Sequence, residues 1–201
     1  MTKEAAAFLG KDKKLKAIIK NNGVQILKPR RDYFNVLAMS IVYQQLSGAS
    51  ASAIYGRLKK ACNNKITPEE ISALSSTRMR KLGLSRQKIS YVNDLAKKFV
   101  NKEINPRKFH SQTDEEIINE LVLIRGIGRW TAEMFLMFSL GREDVFPADD
   151  LGIKKAVARI YGISDTSAKN LDKFSQKWRP YRTYASLYLW KSRDARPPKN
   201  W

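Results

Sequence analysis

Two adjacent carboxylates, Asp149 and Asp150, stand directly before LGIKKAV, an apolar run that reads as the start of a helix. An aspartate there is a routine N-cap, its oxygen accepting from the first free backbone N–H groups. One carboxylate completes a cap, which leaves the other available for chemistry. A carboxylate fixed in a water-poor site stabilises a developing positive charge and can orient or deprotonate an attacking water. A second pattern lies at residues 121–138, LVLIRGIGRWTAEMFLMF, where an apolar helix breaks at a tight Gly126-Ile127-Gly128 turn and restarts at once as another. Two glycines let the backbone turn sharply and strip it of side chains, so its N–H groups can closely approach a ligand. The helix that follows adds its positive dipole end, and the result is a corner suited to a phosphate. An ordinary helical hairpin closed by a glycine has the same local pattern.

Net charge weighs between the two readings. The 201-residue chain carries 38 Lys plus Arg against 19 Asp plus Glu, a net charge of +19. Such an excess favours a polyanion, either nucleic acid or an acidic membrane. A membrane surface would not explain the glycine turn, so the expected partner is nucleic acid and not a membrane. The single cysteine, Cys62, excludes an internal disulfide and a Cys-built zinc or iron–sulfur site. The single histidine, His110, excludes multi-His metal sites and argues against a histidine-based triad; it is read as a surface or capping residue. No run approaches the ~18 apolar residues of a membrane span. The opening MTKEAAAFLGKDKKLKAIIKN has no signal-peptide pattern and reads as one amphipathic helix of an intracellular protein.

The elements that must position these groups are helical. Thr67, Pro68 and Glu70 form an N-cap, a first-turn proline and a capping box, and Thr113 with Glu116 repeats the box. Phe34, Leu37, Ala38, Ile41 and Val42 make one apolar stripe at helical spacing, and Ile117, Ile118, Leu121 and Val122 make another. Alternating strand patterns are nearly absent, GVQIL at 23–27 being too short. The expected class is all-α, about ten helices joined by short loops. No low-complexity linker divides the chain, and the basic, Pro-rich end RDARPPKNW reads as a loosely ordered tail.

With these elements in place, LVLIRGIGRWTAEMFLMF followed by VFPADDLGIKKAV resembles the helix-hairpin-helix (HhH-GPD) superfamily of base-excision DNA glycosylases. Within it the chain looks like the alkylbase branch, of the 3-methyladenine DNA glycosylase II type. SIVYQQLSGASASAIYGRL at 40–58 is similar to the QQLS helix of that branch, and WRPYRTYASLYLW at 178–190 to its C-terminal helix. The four ordered motifs span residues 33–193. The resemblance implies a single glycosylase unit, residues 1–201, of two helical lobes with the active-site cleft between them and no N-terminal β-sheet domain. One lobe is expected at 40–140, holding six helices and the hairpin, and the other at 1–39 plus 141–201.

The resemblance also implies roles. It makes Asp150 the catalytic carboxylate and leaves Asp149 for structure. It lines the base pocket with Trp130 and Trp190, together with Tyr43, and puts Met134 and Leu151 where better-known members carry aromatic residues, so this pocket is less aromatic. On residue type alone each tryptophan would more commonly be core. Trp130, at a helix start beside the glycine turn, is less expected there as a purely structural residue. The family's DNA contacts map to Gly126, Ile127, Gly128, Arg129, Thr131 and Lys154, and its wedge to the loop Gln45, Leu46, Ser47, where Leu46 could equally be core. Backbone carbonyls of Val122, Ile124 and Ile127 are the expected ligands of a monovalent cation, Na+ or K+, with no other cofactor required. Superfamily members that also cut the sugar–phosphate chain carry a lysine right after the Gly-x-Gly-Arg turn, where it forms a Schiff base; this chain has Trp130.

The chemistry agrees with that implication. Breaking an N-glycosidic bond develops oxocarbenium character on the sugar, which a fixed carboxylate stabilises. A 3- or 7-alkylated purine is already cationic and leaves as a neutral base without a dedicated acid. Duplex DNA hides the base, so it must be flipped out and held on aromatic faces. The expected protein is therefore a monofunctional glycosylase of base excision repair, a hydrolase that removes damaged bases from double-stranded DNA and leaves an abasic site. It is expected to be monomeric and to work in a prokaryotic cytoplasm or nucleoid, or in a nucleus if eukaryotic. The alternatives are a non-catalytic hairpin DNA-binding protein and a bifunctional glycosylase–lyase for oxidised bases.

Overall fold

A computed structural model of the chain describes residues 3–192. The tail expected to be loosely ordered, 193–201, lies outside them. All regular structure among the described residues is helical. In chain order the helices are α1 (Lys3–Leu9), α2 (Lys13–Asn22), α3 (Tyr33–Tyr43), α4 (Gly48–Ala61), α5 (Pro68–Ala73), α6 (Ser76–Lys81), α7 (Arg86–Val100), α8 (Asp114–Leu121), α9 (Arg129–Phe135), α10 (Leu151–Tyr161), α11 (Ala168–Ser175) and α12 (Arg182–Lys191). A π-helical turn covers Leu136–Leu140, and short 3-10 turns cover Pro106–Lys108 and Gln176–Trp178. Among the described residues no helix is long and apolar enough to cross a membrane.

Twelve helices among the described residues, rather than about ten, arise because polar caps cut what hydrophobic spacing would run together. The opening stretch is two helices, not one, since Asp12 caps α2 by accepting from the N–H groups of Lys14 and Leu15. Ser75 likewise starts α6 two residues after α5 ends. Thr67 caps α5, but its capping box is not closed. The Glu70 carboxylate accepts from the Asn63 amide instead of the Thr67 N–H. The box at Thr113 and Glu116 is complete.

The described residues divide into two compact units. Arg30–Phe135 form one of them, so all of α3 belongs to it; a boundary at 39/40 would cut that helix. Its core is the α3 stripe of Phe34, Leu37, Ala38, Ile41 and Val42, all buried, with α7 packed on α3 and α5 through Ile89, Val92 and Leu95. Each of these side chains larger than alanine contributes about 1.5–3 kcal/mol on leaving water. Ile117, Ile118 and Leu121 of α8 are buried too, but Val122 is 39% exposed, because the helix stops at Leu121 and the chain turns away. His110 is exposed. Cys62 is buried, and burial, with Glu70 nearby, pushes its thiol up to about 11, which leaves it unreactive.

The residues up to Pro29 and from Leu136 onward form the other unit. Here α12 is buried along nearly its whole length and packs on α2 and α10. Its polar groups are satisfied locally: Arg182 pairs with Asp144 and Asp172, and the Thr183 hydroxyl takes the Val145 N–H. Asp12 does more than cap α2. Its second oxygen accepts from Tyr161 (3.0 Å), from the Trp178 indole (3.1 Å) and from Lys177 (3.0 Å).

Burial opposes the charge on Asp12, but Lys177, the Leu15 N–H, Trp178 and Tyr161 outweigh it and hold its carboxyl below the usual carboxylate value. A depressed folded value gives stability that is fully present above the unfolded carboxyl's pKa, near 4, and is lost as pH falls below it. Asp12→Ala is expected to lower stability by about 2–3 kcal/mol at neutral pH. Urea denaturation at pH 7 and pH 3 tests this: the gap between variant and wild type should shrink at the lower pH. A constant gap would mean the carboxylate charge contributes nothing.

Candidate functional site

The hairpin of the first unit is not the tight three-residue turn expected. The link between α8 and α9 runs from Val122 to Gly128, and its two glycines have different duties. Gly126 sits at φ +83°, and a Cβ there would lie 2.1 Å from Cδ2 of Tyr91, whose ring underlies the turn. Gly128 has no left-handed backbone, and a Cβ on it would meet nothing within 4 Å. The fold therefore requires Gly126, whereas Gly128 keeps a face of the turn bare. Among the described residues the N–H groups of Gly126 and Gly128 have no acceptor, while those of Arg125 and Ile127 go to Asp94 and Ile124. The Val122 and Ile127 carbonyls likewise take no hydrogen bond from a described residue, and Ile124 takes only the one from Ile127. These are the carbonyls to which the resemblance gives a monovalent cation, and among the described residues they are open to one.

Residues after the turn sort by helix phase. Trp130 is 38% exposed, whereas Thr131 and Met134 are buried. The resemblance gave Thr131 to DNA and Met134 to the base pocket; the structure turns both side chains into the core. Arg129 is exposed, but its guanidinium pairs with Glu115 of α8 and with Glu133, one turn on. Glu133 is buried, and with two carboxylates on its guanidinium the charge Arg129 could offer a phosphate is largely taken.

The QQLS loop leaves α3 with Gln45 in a left-handed conformation, φ +57°, which costs a non-glycine residue about 1–2 kcal/mol. Leu46 is 40% exposed and so is not core. Ser47 caps α4 through the Ser50 N–H. Tyr43 is half-buried, edge-on to Tyr55. Two side chains hold the loop in place. Lys88 of α7 donates to the carbonyls of Val42 (2.6 Å) and Gln44 (2.8 Å), the cationic finish a helix C-terminus favours, and burial pulls its ammonium below the usual lysine value. The Gln44 amide donates to the Gly126 carbonyl at 2.7 Å.

In the second unit Asp150 is itself the N-cap of α10, accepting from the Ile153 N–H at 2.8 Å. The cap is therefore made by Asp150, the same residue to which the resemblance gives the chemistry, and not by Asp149. Asp149 is exposed and pairs with Lys154 at 2.9 Å, which also occupies a lysine expected on DNA. The resemblance puts Trp190 on a pocket wall. The structure buries it to 1% exposure, stacks it on Phe138 and gives its indole N–H to Asp150 Oδ1 at 2.8 Å. Trp190 therefore fixes the carboxylate rather than presenting an open face. Leu151 is 72% exposed. No group of three or more His, Cys, Asp or Glu side chains able to hold a metal is found among the described residues.

A family model described as an HhH-GPD superfamily base excision DNA repair protein matches residues 38–180. The chain belongs to that superfamily. Among HhH-GPD proteins it is similar to DNA-3-methyladenine glycosylase 1 of Schizosaccharomyces pombe, 35% identical over 96% of this chain and 87% of the relative. It is also similar to the crystal structure of a DNA-3-methyladenine glycosidase from Bacillus halodurans. The TM-score is 0.85 at 36% identity, covering 95% of this chain and 89% of that one. The S. pombe 3-methyladenine DNA glycosylase in complex with abasic DNA gives 0.79 at 35%, covering 94% and 95%. The all-α class expected from the sequence is the one found among the described residues, and the chain shares its fold with these two structures.

Gln44, Lys88 and Tyr91 in the first unit support the loop and the hairpin. Phe138 and Gly152 in the second support Trp190 and Asp150, and none of these five was singled out from sequence. Gly152 alone had a visible signal, a glycine inside the first turn of a helix. A Cβ on it would lie 3.0 Å from Asp150 Oδ1 and 3.1 Å from the Trp190 ring, so its absence lets indole and carboxylate meet. Gly152→Ala should slow base release about tenfold by moving the carboxylate a few tenths of an ångström. Thermal stability should hold, since alanine favours the helix. Single-turnover excision beside a melting curve tests this, and an unchanged rate would show the contact to be slack.

Proposed function

We propose that this protein is a monofunctional DNA glycosylase that removes alkylated purines such as 3-methyladenine and 7-methylguanine from duplex DNA and leaves an abasic site. The observation that carries the reading is the Asp150 carboxylate, held at the start of α10 by the Ile153 N–H and the Trp190 indole. Two fixed donors and the helix dipole keep it in one orientation without reorganisation during reaction. The named relatives supply the substrate class.

The units divide the work. The Gly126–Gly128 turn grips a backbone phosphate through its open N–H groups, and Leu46 fills the space a flipped base vacates. Trp130 stacks on the extracted cationic base, aided by cation–π attraction. Asp150 then stabilises the oxocarbenium character that grows on the sugar as the bond to the base lengthens, and it orients the water that adds to the sugar. The alkylated purine departs as a neutral base, so no general acid is needed. Val122, Ile124 and Ile127 would hold a Na+ or K+ ion, which when bound adds positive charge for a phosphate. Trp130 stands where a lyase would carry its Schiff-base lysine, so the chain leaves the sugar–phosphate backbone intact. The protein acts alone on DNA as a monomer, in a nucleoid or a nucleus.

Incubation with methylated duplex DNA should release free 3-methyladenine and 7-methylguanine. No release would sink the enzyme reading in favour of a binding module. Borohydride should trap no covalent complex; a trapped complex would make it a lyase.

A further inference from the structure

The wedge loop and the hairpin lie 82 residues apart in sequence at their point of contact, yet they are bound into one closed circuit. Lys88 reaches from α7 to two carbonyls at the end of α3, on either side of Tyr43, and so clamps the loop that carries Leu46. Tyr91, one helical turn further along α7, lies under Gly126, and its hydroxyl accepts from Gln87 at 2.6 Å. Gln44 closes the circuit by donating across to the Gly126 carbonyl. One face of α7 thus supports both the exposed leucine and the bare turn.

Forcing a side chain into a base stack needs something to push against, because unstacking a step costs a few kcal/mol. A loop with a left-handed glutamine and an exposed tip would yield if it were tethered only by its own backbone. We infer that Lys88 and Gln44 are positioning residues that make the Gln44–Ser47 loop and the hairpin one rigid piece, so that Leu46 is driven into the stack against a phosphate already gripped. The inference deepens the glycosylase reading and rests on it for the presence of DNA at these two loops.

The test reads unstacking directly, without base release. A duplex carrying a stable abasic analogue next to 2-aminopurine brightens when a wedge enters. The wild-type protein should brighten it severalfold, and Lys88→Met should cut that rise about tenfold at saturating protein. Affinity of Lys88→Met for undamaged duplex should stay within about twofold, because the phosphate contacts of the hairpin persist. Lys88→Arg, which keeps a cation at the two carbonyls, should restore most of the signal. Gln44→Ala breaks only the bridge to Gly126; it should lower the signal in the same direction and decides the matter alone if Lys88→Met does not fold. A full rise in either variant overturns the inference, as does a wild type that brightens nothing. A wild type that unstacks DNA but releases no base, with both variants impaired in unstacking, supports this inference while sinking the glycosylase reading.

Discussion

Asp150→Asn is expected to slow release of 3-methyladenine and 7-methylguanine by on the order of 100- to 1,000-fold, the usual cost of removing a preorganised charge from a transition state. Binding to an abasic duplex should stay near wild type. Asparagine keeps the size of the side chain and an Oδ1 that can accept from both Ile153 N–H and the Trp190 indole. The cap therefore persists, and Asn and Asp cap helices almost equally well, so the melting temperature should move by no more than about 2 °C. What disappears is negative charge facing a sugar that becomes positive as the base leaves. Single-turnover excision separates this from any change in affinity. A variant that excises at the wild-type rate would remove Asp150 from the reaction and leave its hydrogen bonds as capping alone.

How far such a site is legible from sequence depends on the range of the interactions that build it. The α3 stripe and the Thr113–Glu116 box rest on residues three or four apart, and both are present as spaced. Glu70 sits at equally good capping spacing but is taken by Asn63, which a turn brings to it from seven residues upstream. Arg129 reads as a free cation beside a phosphate corner until Glu115, 14 residues earlier, is seen to hold it. Asp149 and Asp150 look interchangeable in the chain. They are distinguished by an indole 40 residues further on. Helix phase was available for Thr131 and Met134, which share a buried face that Trp130 does not. Helix phase, not the family motif, decides where those two side chains go. The hairpin shows the same limit most sharply, since its two glycines look alike in the chain and only Tyr91 tells them apart.

Replacing those two glycines in turn should separate folding from grip. Gly126→Ala forces a left-handed alanine, at about 1–2 kcal/mol, and drives a methyl into the Tyr91 ring. Tyr91 cannot yield by moving its tip alone, because the methyl would also lie 2.7 Å from its Cγ. The loss should total on the order of 3 kcal/mol, a fall in melting temperature of roughly 10 °C for a chain of this size. Gly128→Ala introduces neither strain nor collision, so melting should be unchanged. Its methyl would instead stand on the bare face of the turn, between the free N–H groups and an approaching phosphate. Affinity for undamaged duplex should fall about tenfold, by the same factor for every sequence, since a backbone contact reads no bases. Melting curves and equilibrium binding on the two variants give four readings, and the pattern matters more than any one value. Wild-type affinity in Gly128→Ala would take the phosphate away from this turn. Wild-type melting in Gly126→Ala would mean that Tyr91 does not pack beneath it, and the rigid link between hairpin and α7 would go with it.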